Sequence, residues 1–239
     1  MAAGAHKSRY SKHGRSQRAW RERQDVGTRQ TRPVFAIVCD DTRTAPAYFC
    51  ELQRLYKQHV SLRIVSAPCK GASPDVVVSK AIYELNELKK DQGDESNVTI
   101  AWAVLDLEHE KPRREQAQNA KRHAESEGVK VALSDPCYEV WTLLHLEDTG
   151  KRFEDCGKVL NRVKRVWKET FGQSLGPKAQ ADFSKIIAWR VKAAERAKRH
   201  LKNKDQSWTE VYKIIEDIES IVQRAGTKAK DSGKNQVAG

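Results

Sequence analysis

The 239-residue sequence lacks any apolar run near the ~20 residues that a transmembrane helix requires, so no membrane span is expected. Residues 1–30 also lack the apolar core of a secretory signal. Leu, Ile and Phe are absent before Phe35, which disfavours an amphipathic organellar leader. We therefore expect a cytoplasmic protein.

Motifs for several common chemistries are also missing. The five cysteines include no C-x-x-C pair, and the seven histidines show no H-x-x-x-H spacing, so neither a disulfide framework nor a zinc ribbon is expected. The sequence contains no Walker loop, no G-x-G-x-x-G and no recognisable Ser–His–Asp arrangement.

Charge, in contrast, is abundant and unevenly distributed. Charged residues make up 32% of the chain and the net charge is +12. Residues 1–33 carry a net charge of +7, residues 34–150 carry −5, and residues 151–239 carry +10. An acidic middle flanked by two basic blocks favours a polyanionic partner held near a site that gathers cations.

Short apolar runs alternate with helical periodicity between residues 34 and 146. The runs are too short for helices and suit strands that are buried on both faces of a parallel sheet. Such alternation predicts a three-layer α/β domain with a four-stranded, mostly parallel sheet and a C-terminal helical extension. The predicted strands are Val34–Cys39, Ser61–Val65, Val98–Leu105 and Val129–Leu133.

The same patterns divide the chain into four segments. Residues 1–32 are predicted to form a basic flexible arm, although a solvated tail without a specific partner is the alternative. Residues 33–150 form the α/β domain, and residues 151–224 form a basic helical region that packs on it, its last helix spanning about 207–223. Residues 225–239 are rich in Gly, Lys and Ser and are expected to be a disordered tail.

Three predicted strands are followed by acids, namely Asp40, Asp106 and Asp135. The carboxyl ends of parallel strands lie along one edge of a sheet, which is where ligands bind in such folds. Carboxylates that converge there favour a hard cation such as Mg²⁺ or Mn²⁺. The alternative is that these acids are ordinary turn and helix-capping residues.

Asp106 and Glu108 are two residues apart, and on an extended segment their side chains would point to the same side. Both carboxylates would then face one metal ion. Asp40 would supply a further ligand or act as general base.

Three segments resemble the RloB-like proteins, a Toprim-related group. Ile37–Phe49 resembles their opening motif I-V-C-E-G-x-x-T-E-x-x-Y-F, and Val104–Glu108 resembles their D-x-D segment. Leu133–Leu146 resembles S-N-P-C-F-E-x-W-L-L-L-H-F, the most specific of the three. Trp208–Ile215 resembles their closing helix, and the basic arm also has a counterpart in the family.

The resemblance implies a Toprim fold, with an acidic residue after the first strand as general acid/base and a D-x-D after the third strand that holds Mg²⁺ for phosphodiester chemistry. In this sequence Asp40 matches the first acid, and Asp106 and Glu108 match the D-x-D. The resemblance also favours Glu139 as a site residue, and His145 less so, since a spacing of six does not place the two on one helical face. It further implies a role in phage defence, often beside an ATPase.

The sequence departs from the family pattern at four positions. Asp40 replaces a glutamate that is one methylene longer, Asp41 replaces a glycine, Ala45 replaces a second glutamate, and Glu108 replaces an aspartate. The longer Glu108 would compensate for the shorter Asp40, or Asp41 would substitute for the missing carboxylate. A site that binds metal without cleaving a substrate is the alternative.

A predicted helix near residues 185–204 is dense in Lys and Arg. Such a face would bind the phosphate backbone of a nucleic acid without sequence choice, unless it is simply a solvated face. The predicted nucleic-acid contacts are Arg43, Arg190, Lys192, Arg196 and Arg199.

Three hypotheses follow for function, of which the third is a plain scaffold that shows no salt-sensitive nucleic-acid binding. The first is a Mg²⁺-dependent Toprim-type nuclease that acts on RNA or DNA in prokaryotic antiviral defence, with Asp40, Asp106, Glu108 and Glu139 as catalytic residues. The second is a catalytically silent Toprim-like subunit of a defence complex, which binds a nucleic acid or a nucleotide.

Overall fold

The computed structural model describes residues 32–68, 71–92, 98–176, 181–203 and 205–234. The predicted basic arm, apart from Arg32, and residues 235–239 of the predicted tail lie outside this part of the chain. The strands are β1 (Val34–Cys39), β2 (Ser61–Ser66), β3 (Thr99–Asp106), β4 (Lys130–Asp135) and β5 (Trp208–Thr209).

Seven α-helices are assigned within the described residues. They are α1 (Thr44–Tyr56), α2 (Pro74–Gln92), α3 (Lys111–Ser126), α4 (Glu139–Leu146), α5 (Cys156–Phe171), α6 (Arg190–Lys202) and α7 (Tyr212–Lys234). Two short 3₁₀ turns, Phe183–Lys185 and Ile187–Trp189, precede α6 in the region that the periodicity predicts as one long helix.

The five strands form one sheet in the order β2-β1-β3-β4-β5. The first four run parallel, as predicted, because each is followed by a helix that returns the chain to the same end of the sheet. The predicted count of four strands is one too low. Trp208–Thr209 was expected to belong to the last helix, but it pairs antiparallel with Ser134 and Asp135. A two-residue strand has no periodicity of its own and exists only through this pairing.

Helices cover both faces of the sheet and give the three layers of an α/β fold. Side chains of β1 alternate between the two faces, so that Phe35 and Ile37 enter one core and Ala36 and Val38 enter the other. Residues of α1, α4, α5, α6 and α7 line the first core, and residues of α2 and α3 line the second. Both faces of β1 are buried, which explains its continuous apolar sequence.

The C-terminal helices share the larger core with the α/β part of the chain. Trp167 of α5, Ala193 of α6 and Ile214 of α7 belong to the same buried cluster as Phe35 and Tyr48. Residues 151–224 therefore complete one face of the sheet by apolar contact.

Glu210, between β5 and α7, links three elements of the fold and is only 6% exposed. Its Oε2 accepts hydrogen bonds from the backbone N–H of Leu133, at 3.2 Å, and from the ammonium group of Lys121, at 3.0 Å. Its Oε1 accepts from Lys213 at 2.5 Å. The carboxylate thus joins β4, α3 and α7 at one point.

We predict that Glu210→Ala lowers the free energy of unfolding by about 2–4 kcal/mol, because it leaves a buried backbone N–H and an ammonium group without their acceptor. Urea denaturation measures the change. Glu195→Ala, at an exposed position of α6, is the control and should change the stability by less than about 0.5 kcal/mol. Equal effects of the two substitutions would contradict the structural role of Glu210.

Candidate active site

Asp40 and Asp106 come together at the carboxyl edge of the sheet, as predicted from their strand-end positions. β1 and β3 are neighbours with Cys39 opposite Val104, so the residues that follow each strand meet. Oδ2 of Asp40 accepts the backbone N–H of Asp106 at 2.9 Å. Oδ1 of Asp106 in turn accepts the backbone N–H of Tyr138 at 2.8 Å. We refer to Asp40 and Asp106 as the acid pair.

Burial and mutual repulsion make the acid pair hard to ionise. Burial is the main reason that the pKa of Asp40 is raised to about 7, with smaller upward contributions from Asp41 and Glu108. The pKa of Asp106 is raised well above its ordinary value, first by burial and then by the negative charges of Asp40 and Glu139. A bound cation would relieve this repulsion, and a pKa near 7 suits a group that exchanges protons at neutral pH.

Asp41 has a structural role at the start of α1. Its Oδ2 accepts the backbone N–H groups of Thr44, at 2.6 Å, and Ala45, at 3.2 Å. These are donors of the first helical turn, which have no partner inside the helix. Asp41, which stands where the family pattern has glycine, therefore caps a helix. This capping role is an alternative to the hypothesis that Asp41 replaces a missing site carboxylate.

The backbone at Glu108 is not extended, contrary to the geometry expected from the sequence. β3 ends at Asp106, and Glu108 has φ of +45°, in the left-handed region that few non-glycine residues adopt. Its N–H donates to the carbonyl of Pro136 at 2.9 Å, and its side chain is exposed. Glu108 still lies close enough to raise the pKa of Asp40. It is therefore at the rim of the site, and its role as a metal ligand stays a prediction.

Asp135, the third strand-end acid, is held by arginines. Its two oxygens accept a bidentate pair of hydrogen bonds from Arg114, at 3.1 and 2.7 Å, and Arg152 lies 3.5 Å away. The side chain is 3% exposed. Its charge is therefore balanced within the protein by two arginines, in contrast to Asp40 and Asp106.

Glu139 lies in the first turn of α4, beside the acid pair. Its Oε1 accepts a hydrogen bond from the hydroxyl of Thr44 at 3.4 Å, and its charge raises the pKa values of Asp106 and Asp41. The positive end of the α4 dipole favours a carboxylate at this position. The prediction that Glu139 supports the site is compatible with this location.

His145 lies on the opposite end of α4 and belongs to an aromatic core. Its ring contacts Tyr48 and Trp141 edge to face, with centroids 5.4 and 4.7 Å away, and its Nδ1–H donates to the carbonyl of Trp141. Burial lowers its pKa to about 4. His145 therefore remains neutral at physiological pH and packs within the core.

Arg113 is a site residue that the sequence analysis did not identify. Its guanidinium lies 4.0 Å from Oδ2 of Asp40 and donates to the carbonyl of Ala72 at 3.1 Å. The side chain is 16% exposed, and its charge lowers the pKa of Asp40. A signal was present, since Lys111, Arg113 and Arg114 open α3, where the helix dipole disfavours cations unless acids lie nearby.

The predicted nucleic-acid contacts of α6 already have partners within the protein in most cases. Arg190 pairs with Glu219 at 3.0 Å, and Arg199 pairs with Asp148 at 2.5 Å. Arg196 is 9% exposed and donates to the carbonyls of Leu144 and His145, so it caps the end of α4. Two further candidates, Lys192 of α6 and Arg43 before α1, have exposed side chains.

The acid pair fits Mg²⁺ or Mn²⁺ in the chemistry of its donors. Each carboxylate is anchored through one oxygen and keeps the other free of hydrogen bonds from the described residues. Mg²⁺ is commonly held by one or two carboxylates together with water and substrate phosphates. No group of three His, Cys, Asp or Glu side chains in the described part of the chain is arranged to enclose a cation.

A model of the RloB-like protein family matches residues 35–218, about three quarters of the chain. The matched range includes the acid pair, Glu139 and helices α1 to α6. No curated protein and no solved structure matches. Among the described helices, none combines the length and the apolar character that crossing a membrane requires.

We predict that Asp40→Asn stabilises the protein in a pH-dependent manner. The pKa of Asp40 is raised on folding, so its contribution to stability is fully present below about pH 4 and is lost as the pH rises through about 7. The asparagine, which cannot ionise, should raise the free energy of unfolding by about 1–3 kcal/mol at pH 8 and by little near pH 4.

Urea denaturation at pH 4, 6 and 8 in the presence of a chelator measures this effect. Asp91→Asn, at an exposed position of α2, is the matched control and should show no comparable pH dependence. A change in stability that is the same at all three pH values would contradict a raised pKa of Asp40 in the folded protein.

Proposed function

The chain belongs to the RloB-like family, and we propose that it is a Mg²⁺- or Mn²⁺-dependent, Toprim-type nuclease that cleaves RNA or DNA in prokaryotic antiviral defence. The observation that carries the proposal is the acid pair at the carboxyl edge of the parallel sheet. Two carboxyl groups on adjacent strand ends, each fixed by a backbone N–H, form a rigid site whose ionisation a bound cation would favour.

Asp106 is proposed as the principal metal ligand, since its carboxyl group is subject to repulsion from both Asp40 and Glu139, which a cation would relieve. A divalent cation bound there would neutralise the phosphate charge and polarise the phosphodiester group. Asp40, with a pKa of about 7, would either share the cation or take a proton from the attacking water or hydroxyl group. Glu108 at the rim would add a further oxygen ligand. Glu139 would add a negative charge beside the acid pair.

Arg113 has a positioning role in this proposal. Its guanidinium beside Asp40 favours the ionised carboxylate, and its Nη1 is held by the carbonyl of Ala72. A fixed cation at the edge of an acidic site would also orient a substrate phosphate. The wider context, including a role beside an ATPase or another defence protein within the cytoplasm, rests on the family resemblance.

A second candidate function is a catalytically silent module that binds a nucleic acid or a nucleotide. Two observations favour it: the carboxylate of Asp41 is used as a helix cap, and Glu108 departs from the extended geometry that would align it with Asp106. Metal titration by calorimetry tests the first candidate, because the absence of Mg²⁺ or Mn²⁺ binding would leave only the silent module. The nuclease requires a Mg²⁺ or Mn²⁺ site that Asp106→Asn abolishes, whereas the silent module does not.

We predict that the purified protein degrades RNA or DNA with Mg²⁺ or Mn²⁺ and that Asp106→Asn reduces the rate by about 100-fold or more. Asparagine retains an oxygen that can accept the Tyr138 N–H, so the loss would report the charge and not a folding defect. Gel analysis of labelled substrates measures cleavage, and Asp91→Asn should retain full activity. Cleavage that survives Asp106→Asn would refute the assignment.

We also predict that activity rises with pH through about 7 as Asp40 ionises, and that Arg113→Gln moves this midpoint to higher pH. The sign follows because the Arg113 cation lowers the pKa of Asp40, and its removal raises that pKa further. Arg113→Lys should restore most of the shift, since it keeps the charge. If the midpoint does not move in Arg113→Gln, the charge of Arg113 does not affect the pKa of Asp40.

A further inference from the structure

The cations of the C-terminal region fall into two groups according to whether an acid of the same chain already balances them. Three of the six Lys and Arg side chains of α6 pair with an acid, and a fourth, Arg196, donates to backbone carbonyls. In addition to Arg190 and Arg199, Lys198 pairs with Glu216. On the inner side of α5, Arg162 pairs with both carboxylate oxygens of Glu147. A paired cation would have to give up its partner in order to bind a phosphate.

The outer side of α5 carries a cluster of unbalanced cations. Its buried side is formed by Val159, Val163, Val166 and Trp167, and residues 161, 164 and 168 lie on the opposite, exposed side. Neither Lys164 nor Lys168 is within ion-pair distance of an acid among the described residues. Arg165 lies 3.6 Å from Glu169, but both side chains are more than 60% exposed, so this contact is weak.

These side chains line an open cleft of about 530 Å³, which we call the α5 cleft. The chain leaves α5 at Gly172, whose φ of +67° lets it reverse, and Ser174–Gly176 form the opposite wall. The described residues that line it are Asn161, Lys164, Arg165, Lys168, Ser174, Leu175 and Gly176, and none of these is acidic. The cleft thus combines three cations with amide, hydroxyl and backbone groups, which suits a polyanion.

Helix α5 begins near the acid pair and carries the α5 cleft further along its axis. Cys156, the first residue of α5, lies beside Cys137, and Tyr138, which follows Cys137 in the chain, donates its N–H to Asp106. At 1.5 Å per residue, Lys164 and Lys168 lie about 12 and 18 Å along the axis from that end of the helix. Their separation of about 6 Å along the axis is on the order of one to two nucleotides of a strand.

We propose that the α5 cleft binds the phosphate backbone of the RNA or DNA strand that the acid pair acts on, with Lys164 and Lys168 as its principal contacts. The inference rests on the proposed function for the identity of the partner. It places the nucleic-acid interface on α5, where cations are free, and assigns the cations of α6 largely to internal pairing. The contacts would be to phosphates and would provide affinity without sequence choice.

The test compares two double variants of the full chain that lose the same charge. Lys164→Gln/Lys168→Gln removes the proposed contacts, and Lys57→Gln/Lys89→Gln removes two exposed lysines from the ends of α1 and α2. Binding to a labelled single-stranded oligonucleotide, as RNA and as DNA, is measured by fluorescence anisotropy with a chelator over a series of salt concentrations. The chelator separates binding from metal-dependent cleavage.

We expect the α5 variant to bind about 10-fold or more weakly at low salt, and the slope of log affinity against log salt to fall in magnitude by about 2. The control variant should retain the wild-type slope. Equal losses in both variants would overturn the inference, since they would indicate a general charge effect. Stronger binding of the wild-type protein to anionic lipid vesicles than to either oligonucleotide, lost in the α5 variant, would also overturn it.

The outcomes distinguish this inference from the proposed function. If the wild-type protein binds and cleaves nucleic acid but the α5 variant binds normally, only the assignment of the cleft fails. If the wild-type protein binds through α5 without metal-dependent cleavage, the cleft is supported and the nuclease assignment fails. If the wild-type protein binds no nucleic acid, both fail.

Discussion

The hydrogen bond from the Asp106 backbone to the Asp40 carboxylate is the contact on which the site depends. It requires β1 and β3 to be parallel neighbours in one register, since only then do the residues after the two strands meet. The contact holds two carboxylates together in a poorly solvated position, where repulsion would otherwise separate them. An arrangement that is unfavourable by itself persists because the sheet and the Tyr138 N–H fix both groups.

The acids of the sheet edge have divided roles. Asp41 caps a helix, and Asp135 is neutralised by arginines, so both contribute to the fold. Asp40 and Asp106 are balanced only in part, by Arg113 at 4.0 Å from Asp40, and their pKa values are raised. Carboxyl groups with raised pKa values in a rigid and partly buried position are typical of sites that bind or transform a ligand. This contrast distinguishes the acid pair from its neighbours more clearly than residue type does.

The departures from the RloB-like pattern have a physical interpretation in this fold. Asp40, although shorter than a glutamate, reaches the Asp106 N–H because the strand ends lie side by side. Position 41 supplies a cap that glycine could not supply. Glu108 has a left-handed backbone conformation, so its side chain, longer than that of aspartate, starts from the rim of the site and not from an extended strand. The departures thus alter how the site is built while leaving two carboxylates at its centre.

The sequence by itself determined the parallel sheet, the order of most elements and the meeting of Asp40 with Asp106. These follow from local signals, because short apolar runs favour buried strands and parallel strands end at one edge. The tertiary structure alone decided which charges are free. The fifth strand, the arginine partners of Asp135, the internal pairs of α6 and the approach of Arg113 to Asp40 all join residues far apart in the chain. Periodicity carries no information about such pairs, since the partner of a charged side chain is set by packing.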